Sequence, residues 1–290
     1  MTGPVVALHG GAGVDPASDY RAVERHLRAL AERIAARLGD GLPALDAVCE
    51  AVRDMEESGL YVAGRGSGPN RDGIVECDAC VMDGATARAG AVAAVRRVRH
   101  PVLAARAVLE TTPHVLLVGE GADRFALAAG LAPVPDPAGW YRPAVGVPRA
   151  DPGAPPRHGT VGAVALDLAG RLAAASSTGG LLGKLPGRVG DTPIPGAGTW
   201  ADDRLAVSCT GVGEAFILAG GAGDVAARVR YGGQALAAAA EALLARVAAL
   251  GGDGGLIALD RAGTVVMPFN TAGMKRAVAG PGRMTMAAVF

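Results

Sequence analysis

A threonine directly behind a glycine, at the head of an apolar run, can carry out amide chemistry if the peptide bond before it is cut. Residues Arg157-His158-Gly159-Thr160-Val161-Gly162-Ala163-Val164 have that form. A hydroxyl needs a base within hydrogen-bond reach, and an N-terminal Thr carries one on its own Cα as the free amine. Such an amine titrates near about 8, so a usable share is neutral at pH 7, unlike a lysine near about 10.4. Gly159 has no Cβ and can adopt the strained backbone that brings a hydroxyl onto the preceding carbonyl. The expectation is a chain that cuts its Gly159–Thr160 bond and then uses Thr160 as nucleophile. Taken singly, Gly-Thr is an ordinary loop end before a strand; its companions decide.

Lys184, Arg188 and Asp191 stand in the glycine-rich stretch Ser176 to Pro193. A guanidinium fork beside a carboxylate suits the carboxylate and ammonium of an amino acid, and it equally suits a surface ion pair. The Gly211 N–H beside the Thr210 hydroxyl would suit an oxyanion. His9, at the end of a short apolar run, reads as a structural hydrogen-bonding residue rather than a catalyst. Three tempting motifs fail. Gly64-Arg65-Gly66-Ser67-Gly68 opens no helix that could hold a phosphate. Thr210-Gly211-Val212-Gly213 has Phe216 where a dinucleotide fingerprint needs its third glycine. Cys77 and Cys80 fall on a strand, where residues three apart face opposite ways and cannot share a metal.

Positioning these groups falls to alternating helices and strands. Helices are expected over Tyr20 to Leu38, Leu42 to Ser58, Pro101 to Glu110, Ala122 to Gly130 and Val225 to Leu250. Strands are expected over Val5 to Leu8, Ile74 to Met82, Arg88 to Val95, His114 to Val118 and Leu205 to Cys209. Two Asp-x-x-Gly turns, at Asp167 and Asp260, join strand pairs into hairpins, which makes the sheets antiparallel. Pro133 to Pro156 is dense in proline and reads as a linker that becomes a loose tail once the chain is cut. The 290 residues, with 50% hydrophobic content, 44 glycines and zero formal charge, suit a packed core and not a nucleic-acid partner. The N-terminus has no leader-like pattern, no apolar run is long enough to span a membrane, and the four cysteines read as reduced thiols, so a cytoplasmic protein is expected.

Separated stretches then point together. His9-Gly10-Gly11-Ala12-Gly13, Ala63-Gly64-Arg65-Gly66-Ser67, Gly159-Thr160-Val161-Gly162, Ser177-Thr178-Gly179-Gly180, Lys184-Leu185-Pro186-Gly187-Arg188-Val189-Gly190-Asp191, Ser208-Cys209-Thr210-Gly211-Val212-Gly213-Glu214 and Pro268-Phe269-Asn270-Thr271 follow in order. In these the chain resembles the plant-type L-asparaginases and isoaspartyl peptidases, which are N-terminal-nucleophile hydrolases. The resemblance implies an α/β fold, a four-layer αββα sandwich of two mainly antiparallel sheets. It implies one domain, 1–290, self-processed into an α subunit of 1–159, ending in a flexible tail from about 133, and a β subunit of 160–290, assembled as a dimer of αβ pairs. Thr160 then corresponds to the nucleophile and Thr178 to the hydroxyl that supports it. Arg188, Asp191 and the Gly213 carbonyl correspond to the grip on substrate carboxylate and amine, and Thr210 and Gly211 to the oxyanion hole. Substrates would be L-asparagine and β-aspartyl peptides, with no cofactor required. A structural sodium ion would rest on carbonyls of Met55, Glu56, Ser58, Tyr61, Ala63 and Arg65. Val62 replaces the family's usual Asn, and Lys275-Arg276-Ala277-Val278 departs from its usual aromatic and Arg-Gly. A glycosylasparaginase, a protein-cutting relative and an uncut amino-acid-binding homologue are the alternatives.

Overall fold

The computed structural model describes residues 3–147 and 159–290. Strands β1 (Val5–His9), β2 (Cys77–Asp83), β3 (Arg88–Val95), β4 (Leu116–Val118), β5 (Val161–Leu166) and β6 (Leu172–Thr178) come first in the chain. Then follow β7 (Thr199–Ala201), β8 (Leu205–Gly211), β9 (Gly254–Asp260), β10 (Val265–Val266), β11 (Arg276–Gly280) and β12 (Arg283–Ala288). They form an eight-stranded sheet, β12-β11-β1-β5-β6-β2-β3-β4, and a four-stranded sheet, β10-β9-β8-β7. Every ladder is antiparallel except β3 with β4.

Side-chain alternation sorts each strand between two cores. On β5, Val161, Ala163 and Ala165 pack beneath the helices α1 (Arg21–Gly39), α2 (Ala44–Ser58) and α3 (Pro101–Thr111), whereas Val164 and Leu166 fill the space between the sheets. On β8, Leu205, Val207 and Cys209 face α6 (Gly213–Ala219), α7 (Gly221–Arg230) and α8 (Leu236–Ala249) on the far side. The layers are therefore helix, sheet, sheet, helix, the αββα sandwich expected. Ala206 joins the inter-sheet core, and Ser208 and Thr210, on the same face of β8 by alternation, place buried hydroxyls beside it.

Several boundaries differ from the sequence reading. The helix expected from Val225 to Leu250 is two, α7 and α8, because Gly232-Gly233 lie between them and glycine costs about 1 kcal/mol in a helix interior. Ile74 to Glu76 stay outside β2, and β4 begins at Leu116 rather than His114. Helix α4 spans Gly119–Ala128, earlier than expected. Cys77 and Cys80 do face opposite cores; both are free thiols, and burial pushes each up to about 12. The proline-rich stretch is not loose throughout. It forms a bridge at Val98–Pro133 and a single helical turn, α5 (Pro137–Trp140), and is placed as far as Val147. The rest of the expected tail, residues 148–158, lies outside the described residues.

Candidate active site

Antiparallel pairing puts the start of β5 between the end of β6, with Val161 opposite Ser177, and the end of β1, with His9 opposite Gly162. The C-terminal end of β8 meets them from the second sheet. Gly159, Thr160, Thr178, Arg188, Asp191, Thr192, Gly211 and Gly213 thereby line one narrow cleft. Thr210 stands one residue behind that wall, its hydroxyl accepting the Ala12 N–H at 3.3 Å.

The chain is continuous through residues 159 and 160, so this is the geometry before any cut. Thr160 is buried, and its Oγ1 lies 3.5 Å from Thr192 Oγ1. Thr178 donates its hydroxyl to the Gly159 carbonyl at 2.6 Å and accepts the Gly180 N–H at 2.9 Å. A donor on that oxygen withdraws charge from the carbonyl carbon and would stabilise an oxyanion there. Gly11, at φ +101°, closes the other side: a Cβ on it would stand 3.3 Å from the Thr160 nitrogen.

Behind Thr160 runs a ladder of buried polar groups. His9 Nε2 lies 2.8 Å from Ser208 Oγ, which lies 2.7 Å from Ser176 Oγ, and Thr199 donates to Ser176 at 2.7 Å. Gly162 makes this possible, since a Cβ there would stand 2.0 Å from Ser208 Oγ and 2.3 Å from His9 Nε2. Burial pulls His9 down to about 3, so it is neutral near pH 7 and braces the site as a hydrogen-bonding residue.

Charge is concentrated on the opposite wall. Burial pushes Asp191 up to about 7, against the pull of Arg188, and its Oδ2 has no hydrogen-bond partner among the described residues. A carboxylate held this way is short of a cation. The Arg188 fork is not turned on Asp191: its Nε and Nη2 reach Glu214 at 2.9 and 2.7 Å. The loop carrying Arg188 is tied down by Glu76, which accepts the Gly187 N–H and Asn70 Nδ2 at 3.0 Å each and whose carbonyl accepts Lys184 Nζ at 2.8 Å. Sequence reasoning assigned no role to Glu214, Glu76 or Thr192. Glu214 alone left a trace, as the acid in the first turn of the helix after Gly213. Among the described residues no group of His, Cys, Asp and Glu could hold a metal ion.

The chain is similar to known proteins along nearly its whole length. The family profile described as asparaginase matches residues 2–139 and 146–288. The isoaspartyl peptidase of Salmonella typhimurium is 50% identical over 298 residues, covering 96% of this chain and 95% of that one. The isoaspartyl peptidase of Escherichia coli is 49% identical, covering 94% and 92%. The plant-type L-asparaginase of Pyrobaculum calidifontis is 43% identical, covering 96% and 98%.

Proposed function

Starting from a chain that belongs to the asparaginase family and is a hydrolase of amide bonds, we propose that it cuts itself before Thr160 and then releases L-aspartate from L-asparagine and β-aspartyl dipeptides. One observation carries the reading: a single cleft joins Gly159, Thr160 and Thr178 to Arg188, Asp191, Gly211 and Gly213.

Cutting frees an amine beside the Thr160 hydroxyl. The hydroxyl oxygen attacks the side-chain carbonyl carbon of the substrate while the amine takes its proton. That proton passes to the departing ammonia or amino acid, leaving an ester on Thr160. Water then attacks the ester, aspartate leaves, and the hydroxyl is restored. The Gly211 N–H and the Thr210 hydroxyl are proposed to hold the oxyanion, which requires Thr210 to turn from Ala12. Thr178, relieved of the Gly159 carbonyl, supports the Thr160 hydroxyl. The buried Asp191 carboxylate and the Gly213 carbonyl receive the substrate ammonium. Arg188 receives the carboxylate, sharing its fork with Glu214 or exchanging it.

The proposed sodium ion would sit on the loop after α2. Met55, Tyr61, Ala63 and Arg65 carbonyls already accept Ser58 Oγ and the N–H groups of Ala63, Gly66 and Arg142, each keeping a second lone pair. Close convergence of the Tyr61 and Gly59 carbonyls on Gly66, where a Cβ would stand 1.9 and 3.2 Å away, favours an oxygen-lined cradle. Its contribution would be to brace the loop. A dimer of αβ pairs is proposed with it, supported by the exposed apolar side chains of Leu116 and Val118 on the edge strand β4 and of Val115 just before it. Four buried free cysteines support a cytoplasmic setting, and among the described residues no helix is long and apolar enough to cross a membrane.

Intact mass spectrometry tests the reading. The wild type should resolve into residues 1–159 and 160–290, and Thr160→Ala should stay whole and inactive. A wild type that remains one chain after long incubation, with no ammonia released from L-asparagine, overturns it.

A further inference from the structure

Residues 136–147 belong to the stretch the sequence assigns to a loose tail, yet they are docked. Asp136 caps α5, accepting the Ala138 and Gly139 N–H groups at 3.1 Å each. Trp140 is only 7% exposed and is covered by two guanidinium groups, Arg99 at 4.3 Å and Arg65 at 5.0 Å from the ring centre. Arg65 Nε also donates to the Trp140 carbonyl at 3.2 Å, and Arg99 is itself held by Glu57 at 2.9 Å. Beyond Trp140, the Arg142 N–H reaches the Arg65 carbonyl at 3.0 Å and the Val145 N–H reaches the Leu60 carbonyl at 3.2 Å.

The same loop, Leu60 to Arg65, touches the bond to be cut. Val62 packs on Gly159, where a Cβ would stand 2.9 Å from its side chain, and the Val62 carbonyl accepts the Gly179 N–H at 3.0 Å. Gly179 follows Thr178, whose hydroxyl holds the Gly159 carbonyl. Outside its single 3₁₀ turn, Gly64–Gly66, this loop belongs to no helix or strand, so its shape depends on what is pressed against it.

We propose that the Trp140 anchor is a positioning element for self-cleavage: by docking residues 136–147 on the Leu60–Arg65 loop, it fixes Val62 against Gly159 and keeps the Gly159 carbonyl under the Thr178 hydroxyl. The inference rests on the self-cleavage reading above. A four-residue helix cannot persist alone, so losing both cation–π stacks releases the segment and takes the donors from the Leu60 and Arg65 carbonyls. Displacing reacting atoms by about 1 Å costs on the order of a hundredfold in rate. After the cut, Gly159 is a chain end whose carbonyl no longer has to be aligned, while Thr178 keeps its place through the pairing of β6 with β2 and β5. The anchor therefore acts on maturation and not on turnover.

The test compares full-length wild type, Trp140→Ala and Trp140→Phe, following conversion to two chains by intact mass. The kcat and KM of the matured fraction are measured on a β-aspartyl dipeptide. Trp140→Ala should mature about tenfold more slowly or worse, the rate equivalent of one strong cation–π contact, while Trp140→Phe, which keeps a ring under the guanidiniums, stays within about twofold. Matured Trp140→Ala should keep both constants within about twofold of wild type. Maturation of Trp140→Ala at the wild-type rate overturns the proposal, as does an equal fall in kcat of the matured fraction, which would mean general loosening. If the wild type itself never cuts, the self-cleavage reading falls and the anchor with it; if it cuts and Trp140→Ala keeps pace, the anchor alone falls.

Discussion

In the proposed substrate grip, Asp191 ties recognition to acidity. Its carboxyl must be ionised to receive an ammonium group, and burial has pushed it up to about 7. Below that pH the free enzyme holds it protonated, and binding must first remove the proton. KM for L-asparagine is expected to rise by up to about tenfold for each pH unit below this point, with kcat changing less, as a pH series from 5 to 9 would record. Stability runs the other way. A carboxyl raised in the fold favours the protonated state, so its contribution is fully present below the unfolded value of about 4 and is lost as pH rises through about 7. Asp191→Asn, which cannot ionise, should therefore unfold at a higher temperature than wild type at pH 8 and show no such advantage at pH 4. Asp191 and Arg188 were legible as candidates for a substrate grip because a glycine-rich loop that nonetheless carries charge is unusual, and the fold brings both to the cleft with Thr160. The pairing of Arg188 with Glu214 was not, because it joins residues 26 positions apart through a turn of chain that only the folded sheets define.

Between the sheets, room is made at single positions on strands. Gly162 on β5 keeps the His9–Ser208 contact open, so Gly162→Ala should destabilise by about 1–3 kcal/mol or more, with His9 or Ser208 forced aside. Gly121, inside α4 with no atom within 4 Å of a Cβ, is the control: Gly121→Ala should stabilise by about 0.5–1 kcal/mol. Urea unfolding of both variants separates a packing role from a general intolerance of alanine. Hairpins at Asp167 and Asp260 could be read directly, since turn chemistry and apolar runs coincide there. Trp140 could not, because a proline-rich segment shows that regular structure is excluded but not that an aromatic side chain will find two arginines. Residues 276–288, which form β11 and β12, received no element in the sequence reading; β11 takes its place by pairing with β1, a partner more than 260 residues away, and β12 follows by pairing with β11.

At the scale of the molecule, the cut proposed at Thr160 falls inside an interlaced sheet. Strands β1 to β4 precede it and β5, β6, β11 and β12 follow, yet the order β12-β11-β1-β5-β6-β2-β3-β4 threads each group through the other. Three ladders, β11 with β1, β1 with β5 and β6 with β2, would join the two pieces. Pieces so woven should not trade partners. Isotope-labelled and unlabelled mature protein, mixed under native conditions for days, should give no hybrid pairs by native mass spectrometry. Hybrids appearing within hours would mean the sheet opens far more readily than three buried ladders allow.

Cut there, that weave would give the molecule a history it cannot rewind. On the proposed cut, the newly made chain would search for its shape as a single tethered polymer, and only then would the tether be severed. A mature molecule that later melts would be two separate fragments that must meet by diffusion and rethread a central strand between neighbours they no longer own. Working life would then be set by the first complete melting, and renewal would depend on synthesis instead of repair.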